Sequence, residues 1–154
     1  MFEEYENSAR KFVHDLACEL EHPDNHKSAI RIMTSVMHTI RDILTVEESL
    51  HLISQLPLFI KGFYVTDWHL GEKKKIKDKD EFIERLLLQD VRTGPLYFGT
   101  DERAIKNVKA VLRVLRKHVT QGEIDDIIGQ FPAVLKILWL TDETAIPLPD
   151  GQHK

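Results

Sequence analysis

The residues of this chain best suited to metal or nucleophilic chemistry are eight histidines and a single cysteine. His22 and His26 stand four apart, a spacing at which two imidazoles on one helix face can hold a metal ion. Pro23 lies between them and favours a loop. No His-Glu-x-x-His motif supports a site, and no Glu-x-x-His pair is assigned to one. His14 precedes Cys18 by four residues, so a helix would bring imidazole and thiol together as a dyad. A buried or half-buried thiol inside a short amphipathic helix is the plainer reading. A glycine-rich phosphate loop, a Gly-x-Ser-x-Gly elbow and a paired-carboxylate signature are all missing from the sequence. The expectation is therefore no catalytic residue, no metal and no cofactor.

A sharper pattern is electrostatic. Between Ala104 and Val119 every formal charge is positive: Lys106, Lys109, Arg113, Arg116 and Lys117, with Arg103 just before. Positions 106, 109, 113 and 116 step by three and four, which makes a basic stripe along one helix. Such a stripe can meet phosphates or an acidic partner protein. Equally, it can be a solvated face paired with the chain's many carboxylates. Aromatic residues that would stack on bases are not interleaved there, which argues against single-stranded nucleic acid.

The elements that would position these residues repeat. A shift of 75 overlays residues 29–67 on 104–142 without a gap, with 12 of 39 positions identical. Chance would give roughly 2 or 3 for average composition. Upstream, Phe12, Val13 and Leu16 resemble Phe82, Ile83 and Leu86 at a shift of 70, so the second copy holds five more residues, placed in a loop around Gly94, Pro95 and Gly99. Each copy reads as a short helix, a long amphipathic helix, and two further helices. Ile30, Met33, Met37, Ile40 and Leu44 mark the first long helix; Ile105, Val108, Leu112, Leu115 and Val119 mark the second.

Thr45 with Glu48, and Thr120 with Glu123, fit the Thr-x-x-Glu capping box, in which the glutamate reaches back to the cap amide. Gln55 and Gln130 precede Pro57 and Pro132 by two and can satisfy backbone groups that the proline orphans. Proline is tolerated in a first turn, so a fourth helix is expected to start there. These recurring polar residues read as structural. Trp68 and Trp139, near the end of each fourth helix, are expected to pack over their own bundle, with partner anchoring as the alternative.

These residues also resemble a family. The Ala-plus-apolar helix, the Thr-x-x-Glu cap, and the Gln55-Leu56-Pro57 and Gln130-Phe131-Pro132 steps are similar to a prokaryotic family known as domain of unknown function 2267. The resemblance covers roughly residues 5 to 142, departing at Phe131, where leucine is usual, and at the lysine-rich linker. It implies an all-helical fold and a bacterial origin, and it implies no activity.

Composition agrees with an ordinary folded domain. The chain has 154 residues, 42% hydrophobic and 30% charged, with 7 Gly, 6 Pro and a net charge of -4. Such a length buries roughly 70% of its extended-chain surface, and the hydrophobic content is too high for disorder. One cysteine excludes an internal disulfide and suits a reducing cytoplasm. The start of the chain lacks a signal-peptide layout, and the uncharged stretch 49–60, broken by Pro57, is too short for a bilayer.

The reading that follows is an all-α fold: a tandem repeat of a four-helix unit packed as one pseudo-twofold helical bundle. Its domain spans 1–142, with repeat one at about 5–67, a solvated charged linker at 71–80, and repeat two at about 81–142; a mobile tail follows at 143–154. The leading function is a non-enzymatic, cytoplasmic protein-interaction module that binds an unknown protein partner. The alternatives are nucleic-acid association through Lys106, Lys109, Arg113, Arg116 and Lys117, and an enzyme with its site in the groove between repeats. A homodimer would be signalled by exposed Phe63, Tyr64 or Trp68. No membrane association is expected.

Overall fold

The computed structural model describes residues 1–140, which form helices joined by short connections and by one longer linker at 66–78. In order these are α1 (Phe2–Glu19), α2 (His26–Ile43), α3 (Val46–Ser54), α4 (Leu58–Val65), α5 (Lys79–Gln89), α6 (Gly94–Phe98), α7 (Asp101–His118), α8 (Gln121–Gln130) and a final 3-10 helix (Ala133–Trp139). The fold is all-helical, with no strand among the described residues. The tail expected at 143–154 lies outside the described residues.

Local chemistry sets the helix starts. Asn25, Thr45, Asp78, Thr100 and Thr120 are N-caps whose side-chain oxygens accept from the amide three residues on. Pro57 and Pro132 stand one residue before their helices, in extended conformation, rather than inside the first turn. The segment after Pro57 is α-helical and that after Pro132 is the tighter 3-10 form.

Two expectations change. The first helix of the chain is long, 18 residues, because Glu3 and Glu4 favour its N-terminus and Arg10 pairs with Glu6 one turn away. Its fully buried residues begin only at Phe12. The extra residues near Gly94 form a helical turn, α6, rather than a loop. That turn buries Phe98 to 1% exposure, which contributes about 2 kcal/mol. Arg103 and Asn107 of α7 donate to the carbonyls of Leu96 and Tyr97 and so tie down α6.

The packing interlocks the two ends of the chain. α1 lies on α7, α2 and α4, and α5 lies on α2 and α6. α2 and α7 touch at the centre, and α3 meets α8. The first helix of each half thus covers the long helix of the other. One core results, with Phe12, Leu16, Met33 and Met37 joined to Leu86, Val111, Leu115 and Ile127.

The linker is not simply solvated. Ile76 is buried, and Lys73 reaches the Asp42 carboxylate at 2.9 Å. Arg85 of α5 binds the other oxygen of Asp42 at 2.9 Å, and Gln89 adds a third bond. With its side chain 3% exposed, Asp42 anchors both the linker and α5 to the end of α2. Burial works to raise its pKa, but the bonds from Lys73, Arg85 and Gln89 outweigh that and hold it low.

Candidate functional site

The basic stripe faces α1, and much of it is already engaged there. Arg113 Nε meets Glu19 Oε1 at 2.7 Å, and Lys117 Nζ meets Glu19 Oε2 at 3.0 Å. Lys106 Nζ lies 3.4 Å from Glu21 Oε1 in an exposed pair. His118 completes the row with Asp15 at 2.9 Å. The Arg113 hydrogen bond, helped by Lys117, keeps the Glu19 carboxyl below its usual range despite partial burial. Arg116 turns inward: it donates to the Trp139 carbonyl at 2.7 Å and stands 5.8 Å from the centre of the Trp139 ring. Lys109 is half-buried and has no carboxylate partner among the described residues.

Arg41, which lies 75 positions before Arg116, has the matching role. It donates to the carbonyls of Tyr64 and Thr66 at 2.7 and 2.9 Å and stands 5.7 Å from the Trp68 ring. These arginines close the end of the last helix of each half, satisfying carbonyls that a helix end leaves free. Tyr64 is fully buried and shares a 2.6 Å hydrogen bond with Ser49, while Phe63 and Trp68 are half-buried. None of the three is therefore the exposed aromatic that would mark a dimer.

The recurring polar residues converge on the seam between α3 and α8. Thr45 Oγ1 and Thr120 Oγ1 accept from the amides of Glu48 and Glu123, as a capping box requires. The return half of the box is different. The Thr45 amide donates to Gln130 at 2.9 Å, and the Thr120 amide donates to Gln55 at 2.7 Å. Each glutamine thus serves the opposite half's helix, not the backbone beside its own proline. Glu48 and Glu123 are relieved of capping and turn into the seam, 8% and 7% exposed.

Glu48, Glu123 and His51 place one ligand atom each within 4.8 Å of one another. Glu48 Oε2 and Glu123 Oε2 are buried without a hydrogen-bond partner among the described residues. His51 Nδ1 lies 3.7 Å from Glu48 Oε2, too far for a hydrogen bond. Burial, then the adjacent Glu48 carboxyl and Asp126, push Glu123 up to about 8. The sequence carried a signal for this cluster, since Glu48-Ser49-Leu50-His51 is a Glu-x-x-His step. The Thr-x-x-Glu pattern, in which Glu48 is a cap residue, overlaps that step and masks it.

The histidine and cysteine candidates meet at the surface, and Cys18 is exposed rather than buried or half-buried as expected, because it falls on the outer face of α1. Cys18 Sγ is 3.5 Å from His14 Nε2, the proximity expected of residues four apart on a helix. The other nitrogen of His14 lies 3.2 Å from His26 Nε2. His26 therefore pairs with His14 across the α1–α2 connection, not with His22.

Beside this corner runs an apolar groove of about 670 Å³ between α1, α2 and α4. Ala9, Val13, Ile30, Leu58, Phe59 and Phe63 line it, with Glu6, Arg10 and His26 on its rim. Leu58 and Phe59, 48% and 43% exposed, form part of this apolar lining.

Fold and surface together define an all-helical protein with one interlocked core, and none of its described helices is long and apolar enough to cross a membrane. The model of a family described as an uncharacterized conserved protein, DUF2267, matches residues 9–138, and the chain belongs to that family. Comparison with curated proteins gives no match.

Proposed function

We propose that this chain is a non-enzymatic, cytoplasmic protein-interaction module whose docking surface is the apolar groove between α1, α2 and α4. Its partner is an amphipathic helix of another protein. The exposed pair Leu58 and Phe59 over an apolar floor carries this reading. A groove walled by helices takes the apolar stripe of a further helix. On the rim, Glu6 and Arg10 pair at 3.2 Å and cancel each other's charge, which suits a neutral apolar face and not a phosphate. The unpaired thiol of Cys18 fits a reducing compartment.

Behind the module we infer a duplicated four-helix unit with a pseudo-twofold axis. Helix starts at 26 and 101, 46 and 121, and 58 and 133 each differ by 75, and the Gln–Thr bonds are reciprocal. Nucleic-acid binding through the stripe is weaker on the same grounds: Arg113 and Lys117 already share Glu19, and Arg116 is turned inward. An enzyme reading would want a cleft lined by residues that differ between halves; the carboxyl with the largest rise, Glu123, recurs as Glu48.

The test is a photo-crosslinker at position 59 in cells, followed by synthesis of the captured segment as a peptide. Binding of that peptide to the purified chain is expected to be helical and to weaken at least about 10-fold in Leu58→Asp. It is expected to be unchanged in the pair Lys106→Gln, Lys109→Gln. Crosslinks only to nucleic acid, or a peptide indifferent to Leu58→Asp, would discard the groove.

A further inference from the structure

We propose that Glu48, His51 and Glu123 form a binding site for one divalent transition-metal ion, of the zinc type, in the seam between α3 and α8. Three observations lead there. The glutamines of the opposite halves occupy the cap amides, so neither glutamate is needed for capping. Each glutamate instead presents a buried oxygen with no partner among the described residues, and both belong to one cluster. His51 adds a nitrogen ligand one turn along α3 from Glu48.

Buried polar atoms are nearly always satisfied, and two unsatisfied carboxylate oxygens facing one space ask for a cation or a proton. A divalent ion balances both carboxylates at once. One imidazole with two carboxylates is a donor set that suits zinc and its borderline neighbours better than calcium or copper(I). Zinc holds its nitrogen and oxygen ligands at about 2.0–2.2 Å, which puts the ligands roughly 3.3 Å from one another. Atoms already within 4.8 Å need only side-chain rotation to close on it. The His51 side chain is 57% exposed, so it can swing, admit the ion and leave the fourth position to water. Because Glu48 lies on α3 and Glu123 on α8, the ion would tie the two halves together.

The measurement is calorimetric titration of zinc chloride into the chelator-treated full chain carrying Cys18→Ser and His26→Ala, which removes the surface cluster around His14. One ion per chain is expected, with release of about one proton when the titration is run near neutral pH in buffers of different ionisation heat. Thermal unfolding should shift upward with zinc. Glu123→Gln mimics the protonated carboxyl, so it is expected to stay folded without metal, while its affinity falls at least about 100-fold; Glu48→Gln should behave alike, and His51→Ala should lose roughly 10-fold. Zinc affinity equal in the parent, Glu48→Gln and Glu123→Gln would overturn the site. So would a parent that binds no zinc at micromolar concentration, in which case the two carboxyls hold a shared proton only.

Discussion

Gln55 accepts the backbone N–H of Thr120 at 2.7 Å, a bond that crosses from the end of α3 to the start of α8. Gln130 returns it to Thr45 at 2.9 Å. A helix N-terminus is thus finished by the half of the chain that does not contain it, and the seam is fastened at both ends. This arrangement makes the halves interdependent for their secondary structure as well as for their core.

Replacing either glutamine should therefore weaken the whole protein. Gln55→Ala and Gln130→Ala are each expected to lower stability by about 1 kcal/mol, the net worth of one such hydrogen bond. The two bonds lie at opposite ends of the seam, so the losses should add in the double variant. Urea unfolding monitored by far-ultraviolet circular dichroism reads this directly. Unchanged midpoints would mean that water replaces the glutamines without loss.

Asp42 sets a second expectation. Its carboxylate is buried and holds both Arg85 and Lys73 at 2.9 Å. Asp42→Asn leaves two positive charges without their partner and should cost about 3 kcal/mol. Lys73→Ala removes a side chain that is 35% exposed and should cost under about 1 kcal/mol. The ordering is the check: if Lys73→Ala were as damaging as Asp42→Asn, the linker and not the buried carboxylate would be what secures α5.

Much of this architecture could be read along the chain. The three-and-four spacing from Ile30 to Leu44 and the Thr45 and Thr120 caps act within one or two turns, and local rules suffice for them. The partner of the Thr45 amide lies 85 residues away and that of Thr120 lies 65 away, so no window on the sequence holds both ends of either bond. The basic stripe illustrates the same limit. Its residues are plain on α7, but the carboxylates that answer them come from Asp15 and Glu19 of α1 and from Glu21 just past its end, and α1 packs there only once the halves interlock. The candidate metal cluster needed both facts at once: glutamines that free the glutamates, and a seam that brings the glutamates together.

Acid and base should act on different parts of the molecule. Glu123, raised from an ordinary carboxyl value to about 8, keeps its proton in the fold while the unfolded chain releases it. Its contribution is full below about pH 4.5 and is lost as pH rises toward 8. Asp15 and Glu19 are held low, Asp15 because His118 and Lys11 outweigh its partial burial. Their contribution is present above the normal carboxylate range and is lost on acidification. Unfolding free energies of the parent and Glu123→Gln, compared in chelator from pH 5 to 8, isolate the seam. The variant should gain on the parent steadily as pH rises. A flat difference would show that Glu123 titrates as an ordinary carboxyl.

Two glycines make an opposed pair. A Cβ on Gly94 would sit 2.8 Å from the Leu87 carbonyl oxygen and 3.1 Å from the Leu87 Cα. Backbone cannot yield as a side-chain tip does, so Gly94→Ala must shift α6 against α5 and is expected to cost about 1–3 kcal/mol. The same change should loosen Phe98, which α6 delivers to the core. Gly62 lies inside α4 with nothing within 4 Å of its Cβ position. There alanine removes freedom from the unfolded chain without a clash, and Gly62→Ala should stabilise by about 0.5–1 kcal/mol. Melting temperatures of the two variants should therefore move in opposite directions. If both fell, the methyl on α4 would be meeting a neighbour that rearranges across the groove, and the groove floor would be less open than Leu58 and Phe59 indicate.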